Sequence, residues 1–129
     1  MPTSRTAAME SSPSTDGVAI GRRFTEAGKH PFDAIEWEIR DALIGDPADP
    51  AFEQPGVEFP ESWSQNATNI VAQKYFRGRM GSDEREHSVK QMVGRVAGTI
   101  ARWGTEGGYF ATDRDAETFE AELTHILLN

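Results

Sequence analysis

A chain of 129 residues with a formal net charge of −8 and no cysteine has the length of one ordinary domain and excludes disulfides, thiolate metal sites and any thiol nucleophile or thiyl radical of its own. The acidic balance also excludes wholesale binding to nucleic acid or to an anionic membrane surface. No run approaches the ~18 apolar residues of a membrane span, and the N-terminus lacks the apolar stretch of a secretory signal, so a cytoplasmic protein is expected.

Residues 1–20 are rich in Ser, Thr, Ala, Pro and Gly. They hold too little apolar surface to offset their ordering entropy, which predicts a disordered tail before one domain over residues 21–129. Pro31 biases His30 toward an extended conformation. Ile35, Trp37 and Ile39 then alternate with Glu36, Glu38 and Arg40, the pattern of a half-buried strand running to Ile44. GDPADP at residues 45–50 is dense turn chemistry. Residues 52–54 and 57–59, split by Pro55-Gly56, predict one or two short strands returning antiparallel, with Pro55 at an edge or a bulge.

The stretch over residues 57–79 predicts the helix around which the chain is organised. Ser62 with Gln65 has capping-box chemistry after Pro60, and Trp63, Ala67, Ile70, Val71 and Tyr75 fall on one stripe. Gly78 stops it. The exit, KYFRGR at residues 74–79, places two aromatics among three cations. From Lys74 to Arg102 there are seven basic residues against three acidic, with six against eighteen elsewhere, so a basic island sits in an acidic chain. Lys90, Arg95 and Arg102 are expected to solvate a helix face. Lys74, Arg77 and Arg79 are candidates for contact with an anionic group or a neighbouring acidic domain.

Ser82 or Asp83, the latter paired with Glu86, can cap a second helix whose stripe is Val89, Met92, Val93, Val96, Ala97, Ile100 and Trp103, up to a stop at Gly104. Gly94 and Gly98 on a neighbouring face predict close backbone approach. Residues 104–108 read as a hinge or turn and lack the Lys of a phosphate-cradling loop. Tyr109 and Phe110 are expected to dock on the core. Thr112 or Asp113 opens a third helix, with Ala116, Phe119, Leu123, Ile126 and Leu127 on one side. The aliphatic run at 126–128, capped at best by Asn129, is expected to continue into polypeptide that covers it. The fold class is therefore α+β and predominantly helical, a three-helix core preceded by short antiparallel strands.

His30, His87 and His125 are scattered and match no metal-ligand spacing. Glu36 and Glu38 share the polar side of a strand, where solvation explains them better than acid–base catalysis. Taken alone, the residues do not support an independent enzyme.

HPFDAIEWEIRDALI at residues 30–44, followed by FEQPGVEFPESWSQNATNIVAQKYFRG at 52–78, closely resembles the N-terminal domain of the bacterial adenosylcobalamin-dependent (class II) ribonucleotide reductases. The E-x-x-x-K-Q-M-V-x-R-V run from Glu86, GGYF at 107–110 and D-A-E-x-F-E-x-E-L at 115–123 follow in the family's order. The resemblance implies an enzyme whose complete form reduces ribonucleotides, mainly diphosphates, to 2′-deoxyribonucleotides for DNA synthesis, with adenosylcobalamin making the radical. It further implies a downstream catalytic barrel carrying the thiyl-forming cysteine and a reducing cysteine pair. This chain has no cysteine, so no catalytic, cofactor-binding or metal residue is carried over onto it.

The expectation is a non-catalytic scaffold piece, inactive alone, that packs on the barrel. Ribonucleotide substrate and deoxynucleotide effectors are partners of the complete enzyme only, and neither nucleic acid nor membrane is a partner. The rival reading is a non-enzymatic helical interaction module that binds an acidic partner protein through KYFRGR. A third is direct nucleotide binding by Arg77 and Arg79.

Overall fold

The computed structural model describes residues 17–129. It holds a short 3-10 turn at Pro31–Ala34, strands β1 (Trp37–Asp46) and β2 (Asp49–Pro60), and helices α1 (Gln65–Lys74), α2 (Val89–Glu106) and α3 (Asp113–Leu128). Two antiparallel strands followed by three helices is the α+β order expected. The residues cluster into two units, Phe32–Gly94 and the residues up to Pro31 with Arg95–Asn129, so the boundary falls inside α2.

In the first unit the strands form a hairpin from Trp37 opposite Pro60 to Asp46 opposite Asp49, with Pro47 and Ala48 as a two-residue turn. At ten residues β1 has the predicted length, shifted two residues along the chain, whereas β2, at twelve, is one continuous strand where one or two short ones were predicted. A two-stranded sheet has only edges, which is why β2 accommodates Pro50 and Pro55 without losing an inner ladder. The register shifts where Asp41 faces Pro55-Gly56; Gly56, at φ +70°, donates its N–H to Asp41 Oδ1 at 3.1 Å. Pro55, expected at an edge or a bulge, lies at a bulge on an edge strand.

The predicted faces of β1 are exchanged. Cross-strand partners share a face, and the buried Val57 and Phe59 stand opposite Arg40 and Glu38. The inward face is therefore that of Arg40 and Ala42, while Ile39, opposite Glu58, is 65% exposed. Trp37 is covered locally instead, edge-on to Phe32 at 5.7 Å with its Nε1 donating to Phe32 O.

Helix α1 begins later than predicted. Residues 57–60 belong to β2, and the N-cap is Ser64, whose Oγ accepts from Ala67 N at 3.0 Å, not Ser62. Gln65 reaches Asp41 O and Asn69 Oδ1 rather than a cap. The buried face is Thr68 and Ala72, followed by Phe76 just past the helix; Ile70 is exposed and Tyr75 is 60% exposed. The predicted stripe was phased on Trp63, which precedes the helix. Thr68 is tolerated inside because its hydroxyl donates to Ser64 O and accepts from Arg40 Nη1 at 2.7 Å. Phe59 lies 5.5 Å from Phe76 and 5.9 Å from Trp63, ring centre to ring centre, and a buried side chain of this size contributes on the order of 2–3 kcal/mol.

Helix α2 starts at Val89, not at Ser82 or Asp83. Ser88 Oγ accepts from Lys90 N, and Gln91 Oε1 accepts from the N–H groups of His87 and Ser88. Val89, Val93, Ala97 and Ala101 are buried at four-residue spacing, whereas Ile100 and Trp103 of the predicted stripe are exposed. Among the described residues no backbone outside the helix approaches the two predicted glycines: a Cβ at Gly94 would meet nothing within 4 Å, and one at Gly98 only the Glu120 carboxylate. The helix passes through Gly104, where a Cβ would lie 2.5 Å from the Phe110 ring. Packing, not chain termination, accounts for that glycine.

In the second unit α3 opens at Thr112, one of the two predicted starts, as N-cap in a reciprocal capping box with Asp115. Asn129 closes it, its N–H and Nδ2 both donating to His125 O. The buried residues of α3 are Thr118, Glu122, Thr124 and Leu128; Ile126 and Leu127 are exposed and Ala116, Phe119 and Leu123 only half-buried. Phe110 docks on Phe119 at 5.2 Å as expected, but Tyr109 stays exposed.

Of the tail expected over residues 1–20, residues 1–16 lie outside the described residues. Its last part is in place along α3. Val18 bridges the 109–111 segment, donating to Tyr109 O at 2.7 Å and accepting from Ala111 N at 2.9 Å, while Ile20 N–H donates to Asp115 Oδ1 at 2.8 Å.

Candidate functional site

The basic exit of α1 is a folded loop, and its cations divide by role. Tyr75 caps α1 through its N–H to Val71 O, and Phe76 turns inward. Gly78 adopts φ +93°; a Cβ there would collide with Glu84 O and lie 2.6 Å from Arg85 Cα, so only glycine lets the loop close on itself. The closure is completed by Arg77 N donating to Glu86 Oε1 at 2.8 Å, Glu86 N to Arg77 O at 2.7 Å, and Ser82 N and Oγ to Arg79 O.

At the centre of this loop is Arg85. Its guanidinium donates to Ala72 O at 2.6 Å, Phe76 O at 2.9 Å, Gly78 O at 3.1 Å and, through Nε and Nη2, to Gln54 Oε1. The planar fork satisfies the carbonyls left open at the end of α1 and places positive charge at the helix C-terminus, where the dipole favours it. Arg40 ties down the segment that leads into α1: its Nη1 donates to Trp63 O and Thr68 Oγ1, both at 2.7 Å, and Nη2 to Glu61 O and Glu38 Oε2. Two arginines thus brace the ten-residue helix at its ends.

Neither role was legible in the sequence. Arg85 sits in the charged run DERE, which reads as solvated surface, and its partner Gln54 lies far away in the chain. Arg40 had the periodicity of a polar strand face.

Lys74, Arg77 and Arg79 project into solvent from this frame, with Tyr75, Ile70 and Met80 exposed beside them. Lys90, expected to be solvated, pairs with Glu58 at 3.4 Å and lies over the Trp37 ring at 4.8 Å. Arg102 pairs with Glu106 at 4.0 Å on the surface.

The other candidate groups do not converge. Glu38 is tied to Arg40, His87 is exposed, and His125 stacks on Phe24 at 4.8 Å. Among the described residues no group of three acidic or histidine side chains is placed to hold a metal ion. An open groove of about 240 Å³ is lined by His30, Pro31, Glu117, Glu120, Ala121 and Thr124, and one of about 110 Å³ lies at the start of α3. No described helix is long and apolar enough to cross a membrane.

The most strongly perturbed acid, Glu122, has a structural role. Burial pushes its pKa up, but hydrogen bonds from the Thr25 hydroxyl and the N–H groups of Phe24, Arg23 and Thr25 outweigh burial and lower it from 4.5 to about 2. Asp115 is lowered chiefly by the Ile20 N–H, with Thr112 also donating to it.

The family described as class II vitamin B12-dependent ribonucleotide reductase matches residues 45–84 and 78–129. The chain is 47% identical over 115 residues to a vitamin B12-dependent ribonucleotide reductase of Streptomyces coelicolor, covering 88% of this chain and 12% of that protein. It is 47% identical over 117 residues to the reductase of the same name from Streptomyces clavuligerus, covering 89% and 12%. With that of Rhodopirellula baltica it shares 47% over 104 residues, covering 79% and 10%. The chain thus spans about an eighth of the length of these relatives.

Proposed function

The chain belongs to the class II vitamin B12-dependent ribonucleotide reductase family, and we propose that it serves as the non-catalytic N-terminal segment of such an enzyme, packing on the catalytic barrel. The observation that carries this reading is the 47% identity across 88% of the chain with a protein of which it spans only 12%. The complete enzyme would be a cytoplasmic oxidoreductase that turns ribonucleoside diphosphates into 2′-deoxyribonucleotides for DNA synthesis. Substrate and effector deoxynucleotides would bind outside this segment. A free-standing interaction module is disfavoured because the relatives named above are reductases.

Bound adenosylcobalamin would supply the radical. Among the described residues nothing fits it: a cobalamin is larger than either groove described above, and His30, which lines one of them, shares that lining with Pro31, Glu117 and Glu120. No step of the reaction is therefore assigned to this chain. Its contribution is a braced hairpin and helix, with Lys74, Arg77 and Arg79 as the contacts toward an anionic group or the neighbouring domain.

The test is to incubate the chain alone with a ribonucleoside diphosphate, adenosylcobalamin and a dithiol. No deoxynucleotide is expected, because no cysteine can form the thiyl radical. Turnover by the chain alone would overturn the scaffold role.

A further inference from the structure

Resting on the reductase reading, we propose that residues 70–80 form a preformed cationic docking face whose occupant is a carboxylate-rich surface of the same reductase, outside these 129 residues. Three observations carry it.

First, the charges are left over in a chain that has acid to spare. With 21 acidic residues against 13 basic, Arg40, Lys90 and Arg102 each have a carboxylate partner. Among the described residues no carboxylate pairs with the side chains of Lys74, Arg77 or Arg79.

Second, the loop that presents them is already held. The Arg85 fork, the reciprocal bonds of Arg77 and Glu86, and the positive-φ Gly78 packed on Glu84 and Arg85 fix its backbone. A surface ordered beforehand spends less entropy on docking.

Third, exposed Ile70, Tyr75 and Met80 are interleaved with the cations. Apolar and aromatic area between dispersed charges fits a folded protein surface with complementary carboxylates, whereas a small phosphate would draw on the charges alone.

The experiment uses a chimera in which this chain replaces the aligned region of the Streptomyces coelicolor reductase. Zero-length carbodiimide coupling joins a lysine amine to a carboxylate it touches. Arg77→Lys and Arg79→Lys extend the reaction from Lys74 to the other two positions. In an active chimera, cross-links from positions 74, 77 and 79 should run to Asp or Glu outside the segment and fall several-fold in high salt. An active chimera whose links from these positions all stay within the segment overturns the docking face. A chimera that does not reduce nucleotides, beside an active parent, overturns the reductase reading on which the face rests. Inorganic pyrophosphate titrated into the isolated chain is the second arm: binding that is lost in Arg77→Ala/Arg79→Ala would assign the cations to phosphate and overturn the carboxylate partner.

Discussion

Thr25 holds the Glu122 carboxylate twice, donating its N–H at 2.8 Å and its hydroxyl to the same oxygen, Oε2. With Arg23 and Phe24 N–H added, a side chain of α3 that is only 9% exposed becomes the anchor of the segment that precedes it by about a hundred residues. Because the folded pKa is depressed to about 2, this anchor stabilises the fold at pH above the unfolded value near 4.5 and fades as the pH falls from there toward 2. Glu122→Gln should cost about 2 kcal/mol at pH 7, allowing for partial solvent screening. Chemical denaturation of both proteins should show that difference shrinking toward pH 3. A difference independent of pH would refute the ionised anchor.

Arg85 offers a second test of a buried polar network. Arg85→Met removes the guanidinium donors to Ala72, Phe76, Gly78 and Gln54, an effect of roughly 2–4 kcal/mol. Arg85→Lys should recover only part, since an ammonium cannot reproduce the fork. Urea midpoints at a fixed m-value measure both. Equal stability of Lys and Arg at this position would mean that charge alone matters there.

Glycines in this chain should respond oppositely to alanine. Gly78→Ala meets backbone as well as a positive φ and should cost more than about 2 kcal/mol. Gly94, inside α2, where a Cβ would meet nothing within 4 Å among the described residues, should gain up to about 1 kcal/mol on the same change. Thermal melts of the two variants should move in opposite directions, and a destabilised Gly94→Ala would indicate a close approach that the fold lacks.

The exchanged face of β1 can be checked on two side chains. Ile39→Thr should change stability by less than about 0.5 kcal/mol, because Ile39 is mostly exposed. Phe59→Ala should cost about 3–5 kcal/mol through the cavity it leaves against Phe76 and Trp63. A large loss at Ile39 would restore the alternation predicted from sequence.

Local chemistry was legible in the residues themselves. The GDPADP turn, a helix start at Thr112 or Asp113 and the Asn129 cap follow from groups within a few residues of one another, so the sequence alone determined them. Three helices after a hairpin, and a family signature without a cysteine, were equally determined. Which face of each element is buried was decided by tertiary structure. Val57 and Phe59 turn Arg40 inward across the hairpin, Thr68 enters the interior because Arg40 satisfies it, and Glu122 is buried because three distant N–H groups meet it. Periodicity counts apolar residues and treats polar ones as solvent-facing, so it misplaces a side chain whose burial is stabilised by hydrogen bonds formed between residues far apart in the chain.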